Sequence, residues 1–537
     1  MKIPFDHLVV LSAIYKSVPE RTPSRFKIIE EYAKEMFAMI NRVSISVEVW
    51  EGGEDKFVVN RNNLMRLEGI IQKLLFDLKT SDGKNMIPIF IIPTEHRCCG
   101  RKIKIEPKFA TPLLYDIGGV SEAKVFHGKC THCSRTFYHG FWINAEGCPT
   151  FDDDMGDIFQ FNSGIIYTWA MMRFIDSLVS IGASTFEKIA SVYQNMCGGD
   201  IKINPDRLEN AWLIYRITQL VKQFPEWPRK DHTKELHIEE LCRLIYPQVR
   251  SIIDSKWVTH KCDEIGCRNR LIVMDGNEKL YRYICGSDQT KVKGNKGEVN
   301  TYNLCINNPI RGNDTTKPSK FCSEHENGRN EHTSERIDVR PITRSFAKSI
   351  PSTILLPSSC KKEVDTFYDR TAGMFYIFRP CGIRLTHSEM YTAESLSSVF
   401  ILMVDLFGQH PDPRDLRGVA YDRVCGLDPF IGRLANEGNL AAKEYKQLDF
   451  MVDLFHIEGH TENRCNLSSA ECLYHPKLPK FEQYAGFNSE VAEQSFNILN
   501  PYKYSTRKMS YSKRLLCLKF IDDSYNTKKC DSLNIIV

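Results

Sequence analysis

The 537-residue chain has no apolar run near the roughly 18 residues that a membrane-spanning helix requires, which argues against a transmembrane protein. A secretory signal peptide is also not evident, since Asp6 and His7 interrupt the place where its apolar core would lie. Charge of neither sign dominates: the net charge is +4, so composition alone does not point to a polyanionic partner. A hydrophobic share of 42% and a charged share of 26% are ordinary for globular domains. We therefore expect an intracellular protein with no membrane partner.

Cysteine, in contrast, is abundant, with 19 residues. In a reducing compartment such a number indicates metal sites rather than a disulfide framework. The clearest signal is Cys130-Thr-His-Cys133, because a C-x-x-C turn holds two thiolates close enough to share a tetrahedral zinc. Its partner ligands would be Cys98 and Cys99, or one of them together with His96.

A second group of cysteines follows His260. The stretch from Ser287 to Arg340 is rich in polar residues and poor in apolar ones, so a zinc cross-link is its natural stabiliser. The predicted tetrad is Cys285, Cys305, Cys322 and His325, to which Cys262 and Cys267 can add.

A third group of soft ligands lies near the C-terminal end. It predicts a further zinc site formed by His456, His460, Cys465, Cys472 and His475. A zinc hydrolase using His456, His460 and Glu458 is a weaker alternative. The motif lacks a glutamate directly after the first histidine, and so many ligands favour a closed structural site.

Three acids follow apolar segments in a suggestive order. Leu271–Met274 predicts a buried strand that ends at Asp275, and a second short strand ends at Asp422. A helix over residues 488–500 carries Glu490 and Glu493. Two strand ends and a helix that deliver carboxylates suit a site for two Mg²⁺ ions, because hard cations prefer oxygen ligands. Each aspartate also has a plain structural interpretation, as an Asp-Gly turn or as an ion pair with the next arginine.

The pattern of elements predicts an α/β protein, α+β overall, whose strand and helix order fits a ribonuclease H-like core. Helical periodicity over 151–259 favours a packing domain, with a DNA-reading helix-turn-helix around Ile181-Gly-Ala-Ser as the alternative. The predicted regions are an accessory region (1–84), a small zinc domain (85–150), a helical domain (151–259), the core (260–523, with inserts at about 285–325 and 456–475) and a tail (524–537).

Together these motifs resemble the Kyakuja-Dileera-Zisupton (KDZ) transposases and their associated cysteine-cluster domains. Besides the cysteine groups, the resemblance rests on Arg370-Thr-Ala-Gly, Arg379-Pro-Cys-Gly, Tyr421-Asp-Arg-x-Cys425, Phe455-His-x3-His460 and Asn488-Ser-Glu-x-x-Glu-Gln-Ser-Phe.

The resemblance implies a DDE-type transposase that cleaves and transfers DNA strands at element ends. Asp275 and Asp422 would be the first two acids of the triad. Glu493 is favoured as the third because of its Glu-Gln-Ser-Phe context, and Glu490 stays open. Mg²⁺ or Mn²⁺ at the acids, structural Zn²⁺, DNA as partner, self-association and a nuclear location are implied as well. The alternative is an inactive, domesticated zinc-dependent DNA-binding or scaffold protein.

Overall fold

The structure is a computed structural model. It describes residues 18–31 (without 24 and 26), 89–152 (without 96 and 146), 158–160, 165–197, 203–222, 238–283 (without 269), 290–292, 301–303, 370–390, 394–408, 416–457 and 472–533. The chain divides into two compact units: residues 1–176 with 187–241, and residues 177–186 with 242–537.

A nine-stranded sheet organises the first unit. The strands of this unit are β1 (Ile89–Ile91), β2 (Arg97–Cys98), β3 (Arg101–Lys102), β4 (Lys104–Ala110), β5 (Leu113–Asp116), β6 (Gly119–Lys129), β7 (Thr136–Phe137), β8 (Phe141–Ile143), β9 (Pro149–Phe151), β10 (Ile158–Gln160) and β11 (Ile165–Thr168). The sheet order is β10-β11-β5-β6-β7-β8-β9, with β1 and β4 also paired to β6, while β2 and β3 form a separate hairpin.

Helices follow the sheet: α1 (Trp169–Ser180), α2 (Phe186–Met196) and α3 (Pro205–Leu220). They confirm helices within the region that was predicted to be helical. Pro149–Phe151, Ile158–Gln160 and Ile165–Thr168 are strands, so the first helix in the described part of that region begins at Trp169. The start of α3 is set locally, because the Asn204 side chain accepts hydrogen bonds from the backbone N–H groups of Asp206 and Arg207, and Pro205 occupies the first turn.

A five-stranded mixed sheet organises the second unit. The strands of this unit are β12 (Leu271–Asn277), β13 (Thr290–Val292), β14 (Thr301–Asn303), β15 (Gly373–Phe378), β16 (Arg384–Met390), β17 (Gly418–Tyr421) and β18 (Asp449–Met451). The sheet order is β16-β15-β12-β17-β18, and β13 pairs only with β14. The pairs β16–β15 and β15–β12 are antiparallel, whereas β12–β17 and β17–β18 are parallel. The central strand is β12, whose residues Leu271–Met274 are fully buried.

The helices of the second unit are α4 (Ile238–Val258, whose first turn belongs to the first unit), α5 (Ile265–Arg268), α6 (Leu396–Gly408), α7 (Val424–Asn436), α8 (Leu440–Tyr445), α9 (Leu454–Ile457), α10 (Val491–Leu499), α11 (Lys503–Thr506) and α12 (Tyr511–Leu533), with 3-10 turns at Pro479–Tyr484 and Asn500–Tyr502. In the described part of the chain, no helix is long and apolar enough to cross a membrane.

Helix α12 is fixed to β16 by buried polar contacts. Arg384 on the strand pairs with Asp522 on the helix at 3.2 Å, and His387 Nδ1 lies 2.9 Å from the same carboxylate. Asn526 is fully buried and exchanges two hydrogen bonds with the backbone of Arg384. Helix α12 runs on to Leu533, past residue 523, after which the sequence predicted a tail. Its polar contacts with β16 leave no apolar periodicity in the sequence.

Candidate active site and metal centres

Two aspartates leave neighbouring parallel strands side by side. Met274 on β12 is paired with Tyr421 on β17, so the next residues, Asp275 and Asp422, lie at one edge of the sheet. Burial raises the pKa of Asp275 well above its usual range, and the charge of Asp422 raises it further. Burial also raises the pKa of Asp422. The predicted pair is thus adjacent and electrostatically coupled.

Glu394 joins this pair, although the sequence analysis did not single it out. It precedes α6, and the Tyr421 hydroxyl donates a hydrogen bond to its Oε1. Its Oε2 lies so close to Gly276 that a Cβ there would be 2.4 Å away, so only glycine allows this approach. Burial and the charge of Asp422 raise the pKa of Glu394 to about 7. No local pattern distinguishes it, since its place depends on where α6 meets the ends of β12 and β17.

The geometry favours Glu493 over Glu490 as the acid from helix α10. Glu493 lies in the first turn of the helix, is half-buried, and adds to the charge that raises the pKa of Asp275. Glu490 precedes the helix and is exposed, with its backbone N–H donating to Asn488. The pKa of Glu493 is itself raised, chiefly by burial.

His456, one of the predicted zinc ligands, lies beside the acidic residues. Its Nδ1 lies 2.7 Å from the carboxylate of the buried Asp453, and its Nε2 lies 3.8 Å from Glu493 Oε1. The hydrogen bond to Asp453 raises the pKa of His456 to about 9, and the charges of Asp275 and Asp422 contribute. The imidazole is therefore a cation at neutral pH that offsets part of the negative charge.

The predicted third zinc site lies only partly within the described residues, so it stays a prediction. Cys472 is buried with its sulfur 4.0 Å from that of Cys425, and His475 accepts a hydrogen bond from the Lys477 backbone. Among the described residues, His456, Cys472 and His475 do not form a group that could hold a metal. His460 and Cys465 lie outside the described residues.

Divalent cations suit the acidic site on two observations. Asp422 Oδ1 and Glu493 Oε2 are buried and have no hydrogen-bond partner among the described residues. Buried charged oxygens normally are paired, and a bound cation would supply the missing partner. The donors are carboxylate oxygens, which Mg²⁺ and Mn²⁺ prefer. The carboxylates do not converge as tightly as the cysteine groups, since no set of three is within 4.8 Å of one another in the described part.

The first cysteine cluster brings together Cys98, Cys99, Cys130 and Cys133, whose sulfur atoms all lie within 4.8 Å of one another. Cys98 Sγ lies 3.4 Å from Cys133 Sγ and 3.7 Å from Cys99 Sγ. Four thiols in this arrangement could hold a structural zinc. His96, the alternative ligand, lies outside the described residues.

Two tight turns present these four thiols. Cys99 and Gly100 form the two-residue loop of the β2–β3 hairpin and both have positive φ, 51° and 72°, as a type I′ turn requires. In the other turn, backbone N–H groups of Cys133 and His132 donate to the Cys130 sulfur and lower its pKa to about 6, which favours the thiolate. The turn geometry thus explains why an adjacent cysteine pair can contribute two ligands.

A second cluster consists of His260, Cys262, Cys267 and Cys381, again with all ligand atoms within 4.8 Å. Cys262 and Cys267 were predicted as additions to another tetrad, whereas His260 and Cys381 were not among the predicted ligands. The members of that tetrad, Cys285, Cys305, Cys322 and His325, lie outside the described residues.

The fold and these sites define a mixed α/β protein with a buried group of carboxylates and cysteine clusters able to bind metal. Residues 356–526 match the family model described as Kyakuja-Dileera-Zisupton transposase. This match confirms the resemblance seen in the motifs: the chain is related to the KDZ transposases. Comparison with curated proteins gave no match, and comparison with solved structures gave none.

Proposed function

We propose that the second unit is a DDE-type transposase core in which Asp275, Asp422 and Glu493 hold two divalent metal ions. The observation that carries the proposal is the meeting of Asp275 and Asp422 at one sheet edge, coupled to each other and to Glu394 and Glu493. The strand order, with three antiparallel strands followed by two parallel ones and α10 after the last, supports a ribonuclease H-like fold.

The chain's own residues would organise phosphodiester chemistry as follows. When bound, two Mg²⁺ or Mn²⁺ ions supply an activated nucleophile and stabilise the leaving oxygen of the in-line displacement. Asp275 and Asp422 offer oxygens from rigid strand ends, and Glu493 offers one from the first turn of α10. Two hydrogen bonds hold Glu394 beside these acids. The Tyr421 hydroxyl donates to its carboxylate, and the Arg423 guanidinium donates to its backbone carbonyl oxygen at 2.9 Å.

A basic and aromatic surface near the same edge supports DNA as the substrate. This Tyr/Arg surface comprises Tyr281, Tyr283, Arg370, Lys503, Tyr504 and Arg507. The Arg370 guanidinium lies 4.8 Å from the Tyr281 ring, and that of Arg507 lies 5.3 Å from the Tyr504 ring. Tyr504 is 53% exposed. Cations bind phosphates while exposed rings stack on bases, which is how proteins bind unpaired or distorted DNA strands.

Two contacts place this surface next to the acids. Asn277, at the end of the strand that carries Asp275, donates to Asn500 at 3.2 Å, and Asn500 begins the turn that leads to Lys503. The Tyr283 N–H donates to the Arg507 carbonyl at 3.2 Å, which joins the two halves of the surface. A strand bound there would therefore lie near the carboxylates.

Structural zinc in the cluster formed by Cys98, Cys99, Cys130 and Cys133 completes the proposal. The buried thiols of the cluster pack against Ile103 and Phe137. A bound ion would therefore fix the two cysteine-bearing turns, at Cys98–Cys99 and at Cys130–Cys133, to the sheet. Self-association and a nuclear location follow from the family relationship and remain predictions.

Nicking of supercoiled plasmid by the zinc-loaded protein in Mg²⁺ or Mn²⁺ tests the proposal without knowledge of the element ends. Asp275→Asn and Asp422→Asn should abolish nicking. Glu493→Gln should do the same, whereas Glu490→Gln should nick like the wild type. Glu437→Gln, at an exposed acid directly after α7, is the matched control for the loss of one negative charge.

Nicking that survives both aspartate changes would contradict the proposal. Metal-dependent nicking is the expected result for the wild type. A folded wild-type protein that binds DNA yet never nicks it would instead support the inactive DNA-binding alternative.

A further inference from the structure

We propose that His260, Cys262, Cys267 and Cys381 bind a structural Zn²⁺ that fastens the segment before β12 to the turn between β15 and β16. The ligands come from two places far apart in sequence, since His260 and Cys381 are 121 positions apart. All four ligand atoms lie within 4.8 Å of one another. The proposal does not depend on the acidic site being active.

The separations within the cluster fit a tetrahedral ion. His260 Nε2 lies 3.3 Å from Cys381 Sγ and 3.8 Å from Cys262 Sγ. A tetrahedral zinc with the usual bond lengths places its nitrogen and sulfur ligands about 3.5 Å apart and its sulfurs about 3.8 Å apart. Three thiols and one imidazole are among the ligand sets of structural zinc sites, and no acid or open position is present among the four.

The tautomer of His260 is already the one that a metal requires. Its Nδ1 lies 2.8 Å from the Trp257 carbonyl oxygen. A carbonyl only accepts hydrogen bonds, so Nδ1 carries the proton and Nε2 presents its lone pair to the sulfurs. Zinc-binding histidines usually donate their other N–H to such a second partner. His260 is also buried, which keeps the ring in place.

Packing holds the other ligands before any ion binds. Gly266, next to Cys267, lies so close to Pro380 that a Cβ would be 2.5 Å from the proline ring. On the turn itself Gly382 has φ +93°, a conformation that favours glycine, and its N–H donates to the Arg379 carbonyl. The turn is therefore shaped to bring Cys381 against the helix that carries Cys267.

Arg379 also links the turn between β15 and β16 to the segment before β12. Its guanidinium donates to the Leu271 and Val258 carbonyls, each at 3.4 Å. These bonds link the turn to the first residue of β12 and to the last residue of α4. A zinc ion would cross-link Cys267 to Cys381, which are more than one hundred residues apart in sequence. Such a cross-link stabilises the folded protein because it restricts the unfolded chain. The strand fastened in this way is the one that carries Asp275.

Zinc content of the full-length purified protein tests the inference. Cys381→Ser should contain about one zinc per chain fewer than the wild type by inductively coupled plasma mass spectrometry. Cys381→His should keep that zinc, because imidazole can replace a thiolate as ligand. Cys197→Ser, at a partly exposed thiol outside both clusters, should match the wild type. Equal zinc in the wild type and in Cys381→Ser would overturn the inference.

Cysteine alkylation of the native wild type gives a second test that needs no variant to fold. Cys262, Cys267 and Cys381 should resist N-ethylmaleimide in the zinc-loaded protein. They should become reactive together, at least tenfold faster, once a strong chelator has removed the zinc. Unchanged reactivity of all three after complete zinc removal would overturn the inference, whichever result the nicking assay gives.

Discussion

Glu394→Gln should stabilise the metal-free protein while weakening its metal-dependent activity. The pKa of Glu394 rises from 4.5 to about 7 because the ionised carboxylate is buried beside Asp422. A shift of that size corresponds to about 3 kcal/mol of penalty on the charged form. An amide resembles the protonated acid and still accepts the Tyr421 hydrogen bond, so it removes most of the penalty. Solvent relaxation around a partly exposed site reduces the figure, and we expect a gain of about 1 to 3 kcal/mol at pH 8.

The pH dependence of this gain has a definite sign. A carboxyl group whose folded pKa exceeds its unfolded pKa costs nothing below the unfolded value and its full penalty above the folded one. The wild type should therefore lose stability as pH rises from 4.5 towards and through about 7. The advantage of Glu394→Gln should shrink towards zero over the same interval on acidification.

Hydrogen exchange of peptides that cover β12 and β17 measures this local stability, after correction for intrinsic exchange rates at pH 5.5 and pH 8. The buffer should contain zinc and no Mg²⁺, so that the cysteine clusters stay intact. Glu437→Gln is the control, since it removes an exposed charge on the same unit. A Glu394→Gln protein no more stable than the wild type at pH 8, or equally stabilised at both pH values, would refute the reasoning.

Three further predictions concern other parts of the account. His456 should lose its proton at about pH 9, so Mg²⁺ binding measured by calorimetry should tighten about three- to tenfold between pH 7.5 and 9.5, and His456→Asn should abolish this rise. Tyr504→Ala and Arg507→Ala should each weaken the binding of single-stranded DNA about five- to fiftyfold, as measured by fluorescence anisotropy. Lys480→Ala, at an exposed basic residue, is the control. Equal DNA affinity of all three variants would exclude the Tyr/Arg surface as a DNA-binding site. Cys130→Ser should remove about one zinc per chain and lower the melting temperature of the first unit in calorimetry, whereas an unchanged zinc content would exclude the first cluster as a site.

Sequence reasoning placed the two aspartates well because the signal is local. An apolar run followed by an acid indicates a buried strand, and β17 stops just before Asp422 as that pattern predicts. Strand β12 instead continues two residues past Asp275 to Asn277, because those residues stay paired with β15. The cluster at Cys130 was accessible for the same reason, since a C-x-x-C turn is complete within four residues.

Other members of the sites depend on tertiary register that no local pattern encodes. Cys381 meets Cys267 only because β15 pairs with β12 in a particular register, which sets where the next turn lies. Glu394 lies against the residue that follows Asp275 only because that residue is Gly276, where a Cβ would be 2.4 Å from Glu394 Oε2.

The prediction of zinc at His456 did not consider a competing partner, and it stays a prediction because His460 and Cys465 lie outside the described residues. Counting soft ligands around H-x3-H suggested zinc, whereas Asp453 lies one helical turn earlier with its carboxylate 2.7 Å from the imidazole Nδ1. A buried carboxylate three residues before a histidine is a competing partner that spacing alone could have revealed.

The binding of Mn²⁺ by the zinc-loaded protein in the presence of DNA tests the central claim most directly. Electron paramagnetic resonance counts the bound ions in the wild type, in Asp422→Asn and in the control Glu437→Gln. A two-metal site predicts two Mn²⁺ ions per chain in the wild type and the control. Asp422→Asn should lose at least one, because Asp422 Oδ1 is buried at the sheet edge with no hydrogen-bond partner in the described part of the chain. Equal Mn²⁺ binding in all three proteins would contradict it.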